Sequence, residues 1–431
     1  MNIDSILKTF QHFGVSLGLE RIQLLLNNLG NPHQKFPIIH VAGSNGKGSV
    51  CAYLSSVLQE AGYRVGRYIS PHLIDWTERI CINHQPIPLE QLENTLLKVI
   101  AAIDKTTESP TQFEVITAAA WLYFAEQQVD IAVIEVGLGG RLDATNVCDR
   151  PLATAITSIS REHWQVLGPT LADIANEKAG ILKSGCPVAI GALPPEAKAV
   201  VEKRIQALNC PAVWPKPAQD LGEGWVEYQG TEEFNLKPLQ YQLPLLGAFQ
   251  LMNSAVAIAI LQLLQQQGWD IPEPAIQNGM AKTQWPGRLQ WSTWKHHPLL
   301  IDGAHNPAAA IYLRQYVDTL SSASPQLQAS QAGISWVMGI LSTKDHADIF
   351  KALLKTGDRL YLVPVPDNNS AEPEALATLA QTICPGLAVC QTYPDLFTGL
   401  EAAIRNEHLT VLCGSLYLIG YFFQQQQLVR T

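Results

Sequence analysis

Short apolar runs alternate with helix-length amphipathic segments along almost the whole chain, and this alternation constrains the fold more than any other feature. Parallel strands covered on both faces read as unbroken Val/Ile/Leu runs, and each needs a crossover, usually a helix, to reach the next. The pattern is that of βαβ units, so the fold class is α/β. In the first part, 38–41, 65–69, 131–136, 153–158 and 188–190 read as buried strands, with helices over 49–61, 114–126 and 170–182. From Trp214 to Gly247 short pieces rich in Pro, Gly and aromatic residues suggest a small antiparallel section, followed by a helix over 253–266. Gln284 to Trp291, with Pro286 and Gly287, interrupts the pattern and reads as an interdomain hinge. A second βα series follows, with strands at 299–301, 335–341, 359–365, 388–392 and 410–412. Domains are therefore expected over 1–290 and 291–431, a division that the length of 431 residues accommodates.

Composition removes several classes of function. The 29 Lys and Arg are spread among 38 Asp and Glu for a net charge of −9, which leaves no basic patch for a nucleic-acid backbone. The eight cysteines form no CxxC pair, so zinc-ribbon, iron–sulfur and dithiol chemistry are not expected. The longest apolar tract, Leu409 to Phe423, contains Gly414 and Ser415 and is short for a membrane helix; it reads as a strand running into a helix. No signal peptide is readable near Asp4, Lys8 and Gln11, and a monomeric protein of the reducing cytoplasm is expected.

The sharpest local signal runs from Pro37 to Ser49: a strand, a small-residue loop with Gly43, Asn45, Gly46, Lys47 and Gly48, then a helix opening at Ser49. Backbone N–H groups and the helix N-terminus suit an anion, Lys47 suits terminal phosphates, and the Ser49 hydroxyl suits Mg²⁺. The spacing is not GxxxxGK[ST], since Val41 stands where the first Gly belongs and Gly48 separates Lys47 from Ser49. Glu135 ends the next apolar strand, at the edge where open α/β sheets bind ligands, and is a metal-ligand candidate; a pairing with Arg141 is the structural alternative. Gly137, Gly139, Gly140, Asp143, Thr145 and Asn146 read as loop-shaping residues. Downstream, Lys178 shares a helix face with Leu171, Ile174 and Ile181. A desolvated amine there would take up CO₂ to form a carbamate, a carboxylate-like metal ligand, although composition alone favours a snorkelling lysine, and His163 alone reads as a core histidine. In the second series Asp302 and His305 lie at a strand end, and Arg288 in the hinge is equally a phosphate contact or a surface residue.

Taken together, Ser44-Asn-Gly-Lys-Gly-Ser49, Tyr68-Ile-Ser-Pro-His-Leu73, Phe113-Glu114 with Thr117, Glu135 to Asn146, Glu177 to Ile181, Asp302 to Pro307 and Gly414 to Gly420 resemble the folylpolyglutamate synthase/dihydrofolate synthase family of the Mur ligase superfamily. The resemblance implies a P-loop-type ATPase domain followed by a smaller Rossmann-like domain. It implies an ATP-dependent ligase that phosphorylates a carboxylate and joins it to L-glutamate, acting on dihydropteroate and on reduced folates. Carried over by position, Gly43 to Ser49, Asn253, Arg288, Asp302 and His305 contact ATP, and Ser70, Glu135 and His163 hold Mg²⁺. Lys178 falls where the family carries a carbamylated lysine near a second Mg²⁺, and Gly18, Leu19, Glu20 and Arg21 match a segment that helps bind the pterin. Lys47, Glu135, His163 and Lys178 are then the catalytic set. Two departures stand out: Ser160-Arg-Glu162 where Gly-Leu-Asp is common, and Phe249 where His is frequent. The competing functions are a folylpolyglutamate synthase alone, a Mur-type ligase for cell-wall precursors, and a P-loop phosphotransferase.

Overall fold

A computed structural model describes residues 3–11, 17–323, 333–405 and 408–430. The chain divides into two compact units, one of residues 1–244 and 250–284, the other of 245–249 and 285–431.

The first unit is built on a sheet whose strands, among the described residues, run in the order β4-β3-β2-β5-β1-β6-β7-β8. Here β1 is Ile38–Ala42, β2 Val65–Tyr68, β3 Ile80–Ile82, β4 Gln85–Pro86, β5 Ile131–Glu135, β6 Ala153–Ile156, β7 Val188–Ile190 and β8 Ala212–Val213. Strands β2, β5, β1, β6, β7 and β8 are parallel, and β3 and β4 add an antiparallel edge. Every residue of β1, β5, β6 and β7 is buried, which is why these strands are continuous apolar runs in the sequence. A three-stranded antiparallel sheet of β9 (Gln219–Gly222), β10 (Trp225–Tyr228) and β11 (Leu239–Gln242) occupies the segment expected to change character.

The helix after β1 spans Lys47–Glu60, two residues earlier than the expected start, and it is buried from Ser49 to Leu58. Helix Glu273–Lys282 packs on it so closely that a Cβ on Gly279 would meet Val57 Cα at 2.4 Å, and Ser56 Oγ donates to Gly279 O at 2.7 Å. A helix enclosed in this way holds its N-terminus, and with it the phosphate loop, in a fixed place.

The second unit carries a sheet of order β12-β13-β17-β14-β15-β16, from Gln290–Trp294, His297–Ile301, Thr410–Cys413, Ser335–Met338, Arg359–Leu362 and Val389–Thr392. Among the described strands of this sheet, only the β12/β13 pair is antiparallel. The proposed hinge is therefore corrected at its end: Gln290 and Trp291 are strand residues paired to Ile301 and Leu300. Asp358 anchors this unit's core by accepting from Trp336 Nε1, Ile334 N and Lys355 N and pairing with Arg314. The tract at 409–423 is a strand followed by a helix beginning at Leu416. Among the described residues no helix is long and apolar enough to cross a membrane.

Candidate active site

The strand order sets the site. Neighbouring β2, β5, β1 and β6 end side by side, so the segments that follow them, Ile69–Ser70, Val136–Asn146, Gly43–Lys47 and Thr157–His163, share the C-terminal edge of one sheet. That edge is where parallel α/β sheets take ligands.

The loop after β1 is fastened to the loop after β6 at every turn. Ser44 N donates to Ser158 O (2.8 Å), Asn45 N to Ser158 Oγ (3.0 Å), and Thr157 Oγ1 and Ser158 Oγ both donate to Asn45 O, at 2.6 and 2.9 Å. Ser160 N donates to Ser44 Oγ, which in turn donates to Ser160 O. Gly43, at φ +149°, leaves no room for a side chain, since a Cβ would lie 1.9 Å from Thr157 Oγ1. Gly46 is the N-cap of the Lys47–Glu60 helix, and Lys47 Nζ donates to Gly43 O (2.9 Å) and Ser44 O (3.3 Å), above its own loop. The result is a preorganised anion cradle with one ammonium at its mouth.

Glu135 closes β5 and is only 6% exposed, and its Oε2 accepts from Ser70 N at 3.3 Å. Ser70 Oγ is buried with no hydrogen-bond partner. Arg141, the alternative partner for Glu135, is taken by Glu177 through its side chain (2.8 Å) and its N–H (2.7 Å to Glu177 O). The 137–146 loop shapes itself as expected: Asp143 accepts from Leu138 N, Thr145 N and Thr145 Oγ1, and Asn146 Nδ2 donates to Arg141 O and Gly180 O.

Thr170 and Asp173 form a reciprocal capping box at the start of the Leu171–Ala179 helix. Ile181, expected on its apolar face, falls past the helix end, but Ile174 and Lys178 are buried together. Lys178 does not snorkel: 2% exposed, it donates from Nζ to Gly43 O (2.9 Å) and to Glu162 Oε1 (2.8 Å). Burial lowers the Lys178 amine, with Glu162 opposing. Burial would raise the Glu162 carboxyl, but Lys178, Lys47 and His163 overcome it and hold the group at about 2. His163 is exposed rather than a core residue, and its backbone is left-handed at φ +47°. Glu162 thus joins the phosphate-loop lysine, the helix lysine and His163 in one electrostatic cluster. Its role was not readable from sequence, where it stood only as a departure.

The donor set fits a hard divalent cation. A buried carboxylate at a strand end and, beside it, a hydroxyl without a partner offer the oxygen ligands such an ion takes, and His163 would add a nitrogen. Among the described residues no group of three or more His, Cys, Asp or Glu gathers. Cys51 follows the loop but is buried, and burial, then Glu135, raises its thiol well above the usual range, which leaves it unreactive.

Arg21 of the Gly18-Leu19-Glu20-Arg21 segment pairs with Glu108 (3.2 Å) and, through Nε, with the buried Glu114 (3.1 Å). Glu114 lies in the first turn of the Gln112–Glu126 helix, and its neighbour Phe113 abuts Gly137, two residues beyond Glu135. A cavity of about 270 Å³ beside the segment is lined by Glu20, Arg21, Asn28, Ile103, Asp104 and Glu108. In the second unit, Asp302 Oδ2 accepts from Leu289 N (2.9 Å) and Oδ1 from Ala304 N (2.8 Å), while His305 Nδ1 lies 2.7 Å from Gly303 O. Burial raises the Asp302 carboxyl, with Arg288 acting against it.

Residues 41–261 match the Mur ligase middle domain, and 288–425 match the dihydrofolate synthetase C-terminal domain. The chain is 35% identical to a dihydrofolate synthetase of Saccharomyces cerevisiae, over 94% of this chain and 97% of the relative. The chain belongs to the folylpolyglutamate synthase/dihydrofolate synthase family. A member from Bacillus subtilis named for both activities is 34% identical over 95% of this chain and 94% of its own. Among solved members, Escherichia coli FolC in complex with DHPP and ADP superposes with a TM-score of 0.82 at 28% identity, covering 99% of this chain and 97% of that one. Within Ser160-Arg161-Glu162, the stretch read from sequence as a departure, Ser160 braces the phosphate loop and Glu162 meets the helix lysine.

Proposed function

We propose that the chain is an ATP-dependent ligase that adds L-glutamate to dihydropteroate, forming dihydrofolate, and further glutamates to the γ-carboxylate of reduced folates. One observation carries this reading: a single sheet edge holds a phosphate cradle with Lys47, a metal-suited pair in Ser70 and Glu135, and a buried lysine on the cradle's own Gly43 carbonyl. Family members named for each activity and for both support the two acceptors.

A carboxylate is a poor electrophile, so amide formation needs a leaving group on the acyl carbon. The acceptor carboxylate oxygen attacks the γ-phosphorus of ATP, the bond to the β-phosphate oxygen breaks, and ADP leaves. The glutamate amine then attacks the acyl carbon and expels phosphate, losing its proton. The cradle N–H groups and Lys47 Nζ bind and orient the phosphates, and the buried strand ends limit access of water. No side-chain nucleophile is required. Ser70, Glu135 and His163 would hold Mg²⁺, with Ser49 a further ligand; the ion supplies neutralisation of charge between phosphate and carboxylate. Lys178 as a carbamate would serve a second Mg²⁺; a carbamate keeps one N–H, so it would retain one of the two present acceptors, and the ion would supply the positive charge to offset it beside Glu162. By resemblance alone, Asn253 and, in the second unit, Arg288, Asp302 and His305 are read as nucleotide contacts. The Arg21 anchorage to Glu114 supports reading Gly18–Arg21 as pterin-side. The eight free thiols suit a reducing compartment, and the reading has the enzyme act in the cytoplasm as a monomer.

The test is incubation with MgATP, L-glutamate and either dihydropteroate or tetrahydrofolate, following ADP release and product mass. Product from both acceptors is expected. Tetrahydrofolate alone reduces the reading to a polyglutamate synthase. Growth of UDP-muramyl peptides alone, or phosphate transfer without glutamate, overturns it.

A further inference from the structure

Four buried side chains of the first unit form a hydrogen-bonded chain, and two of them, Gln250 and Tyr53, have no part in the ligase reading. Gln250 Nε2 donates to Ser49 Oγ at 3.2 Å, and Gln250 Oε1 accepts from Asn253 Nδ2 at 3.0 Å and from Tyr53 Oη at 3.3 Å. Gln250 and Tyr53 have no exposed surface, and Ser49 and Asn253 keep 4% and 5%. Asn253 turns its own Oδ1 toward Gly46, where a Cβ would lie 2.4 Å away, which leaves its NH₂ facing Gln250. A reversed Gln250 amide would set one NH₂ against another in a buried place, so the observed orientation is the one the network satisfies.

The consequence falls on Ser49. Its hydroxyl accepts one hydrogen bond from an amide that cannot swing away, and keeps its proton and one lone pair for other partners. Ser49 is the phosphate-loop serine suited to a divalent cation, and a cation ligand must present a lone pair in a fixed direction.

We propose that Gln250 is a positioning residue that fixes the Ser49 hydroxyl so that its remaining lone pair faces the cation accompanying the nucleotide. The proposal rests on reading this loop as the MgATP site. Because Gln250 acts on the serine, it governs how much Mg²⁺ strengthens nucleotide binding, read as the ratio of affinities with and without the ion. The three side chains that fix it come from two elements far apart in sequence: Ser49 and Gln250 are separated by 201 residues.

The test is calorimetric binding of a non-hydrolysable ATP analogue in Mg²⁺ and in EDTA, for the unmodified protein, Gln250→Leu, Ser49→Ala and the double variant. The unmodified protein is expected to bind more tightly in Mg²⁺. Gln250→Leu and Ser49→Ala should each reduce that Mg²⁺-dependent gain, the ratio of affinity in Mg²⁺ to affinity in EDTA, by about tenfold. The double variant should match Ser49→Ala, because one residue acts through the other. An undiminished gain in Gln250→Leu, an equal loss in EDTA, or additive losses in the double variant overturns the proposal. Should Gln250→Leu fail to fold, Tyr53→Phe removes one of the two donors to Oε1 and should reduce the gain by about threefold; an unchanged gain there is equally fatal. Nucleotide binding without any Mg²⁺ dependence in the unmodified protein refutes this inference alone. No nucleotide binding at all refutes the ligase reading beneath it.

Discussion

The Glu162 carboxylate and the Lys178 ammonium lie 2.8 Å apart in the first unit, and Lys178 gives a second hydrogen to the Gly43 carbonyl at 2.9 Å. The pair therefore ties the loop after β6 and the Leu171–Ala179 helix to the phosphate loop. Both side chains are largely buried, so neither charge is satisfied by water when the other is removed.

Glu162→Ala is expected to destabilise the protein by about 3–5 kcal/mol, because it leaves a buried ammonium without its counter-charge. Glu162→Asp, the shorter acid, should recover most of this and retain turnover. Chemical unfolding of the two variants side by side measures the difference, and equal stability of Glu162→Ala and the parent would mean the pair contributes nothing.

Lys178→Ala should lose glutamate-dependent ADP release, and a short carboxylic acid added to the assay should restore part of it by standing in for the carbamate. Native mass measurement of the parent in bicarbonate buffer with Mg²⁺ should show the added mass of one CO₂, removed by Lys178→Ala. Full activity in untreated Lys178→Ala removes the carbamate from the reading.

The site was legible in sequence where chemistry and position coincide locally. Glu135 ends an apolar run, and a buried strand-end carboxylate marks itself; the Gly43–Ser49 loop does so by its glycines and its lysine. The strands β1, β5 and β6 were legible because burial on both faces leaves them mainly apolar, with His40, Glu135 and Thr154 the polar exceptions. What escaped depends on distant partners or on edges. Glu162 meets Lys178 across a loop and a helix turn, and Gln250 meets Ser49 from another part of the chain, so no spacing announces either. Strand β12 alternates half-buried and exposed residues directly after Pro286-Gly287, and it read as a linker because an edge strand needs no apolar run. Strand β4, an exposed two-residue piece ending in Pro86, carries even less signal.

Glu135→Ala should fold normally yet lose Mg²⁺-dependent turnover by more than roughly 100-fold, since a metal ligand is worth more than the residues that orient one. Circular dichroism and a thermal melt check the fold, and coupled ADP release checks the activity. Retained turnover would place the metal elsewhere.

His40 sets an acid limit on stability. It lies within β1, its Nε2 is 2.8 Å from Thr145 Oγ1, and burial, reinforced by Lys183, pulls its imidazole down to about 3. In the unfolded chain the ring titrates near its ordinary value of about 6.5. As pH falls from about 6.5 toward 3 the unfolded state therefore takes a proton that the folded state refuses, and stability declines by roughly 1.4 kcal/mol per pH unit across that window. Glu162, held near 2, adds its own loss only as pH falls below the ordinary carboxylate value of about 4.3 toward 2. Urea unfolding at pH 7.5, 6.0 and 5.0 covers this window, which burial of His72, His33, His84 and His408 also shapes, so the variant assigns the share of His40. His40→Gln keeps a polar partner for Thr145 without a titrating ring, so it should be less stable than the parent at pH 7.5 but show a flatter decline to pH 5.0. The same slope in both proteins would show that the acid sensitivity arises elsewhere.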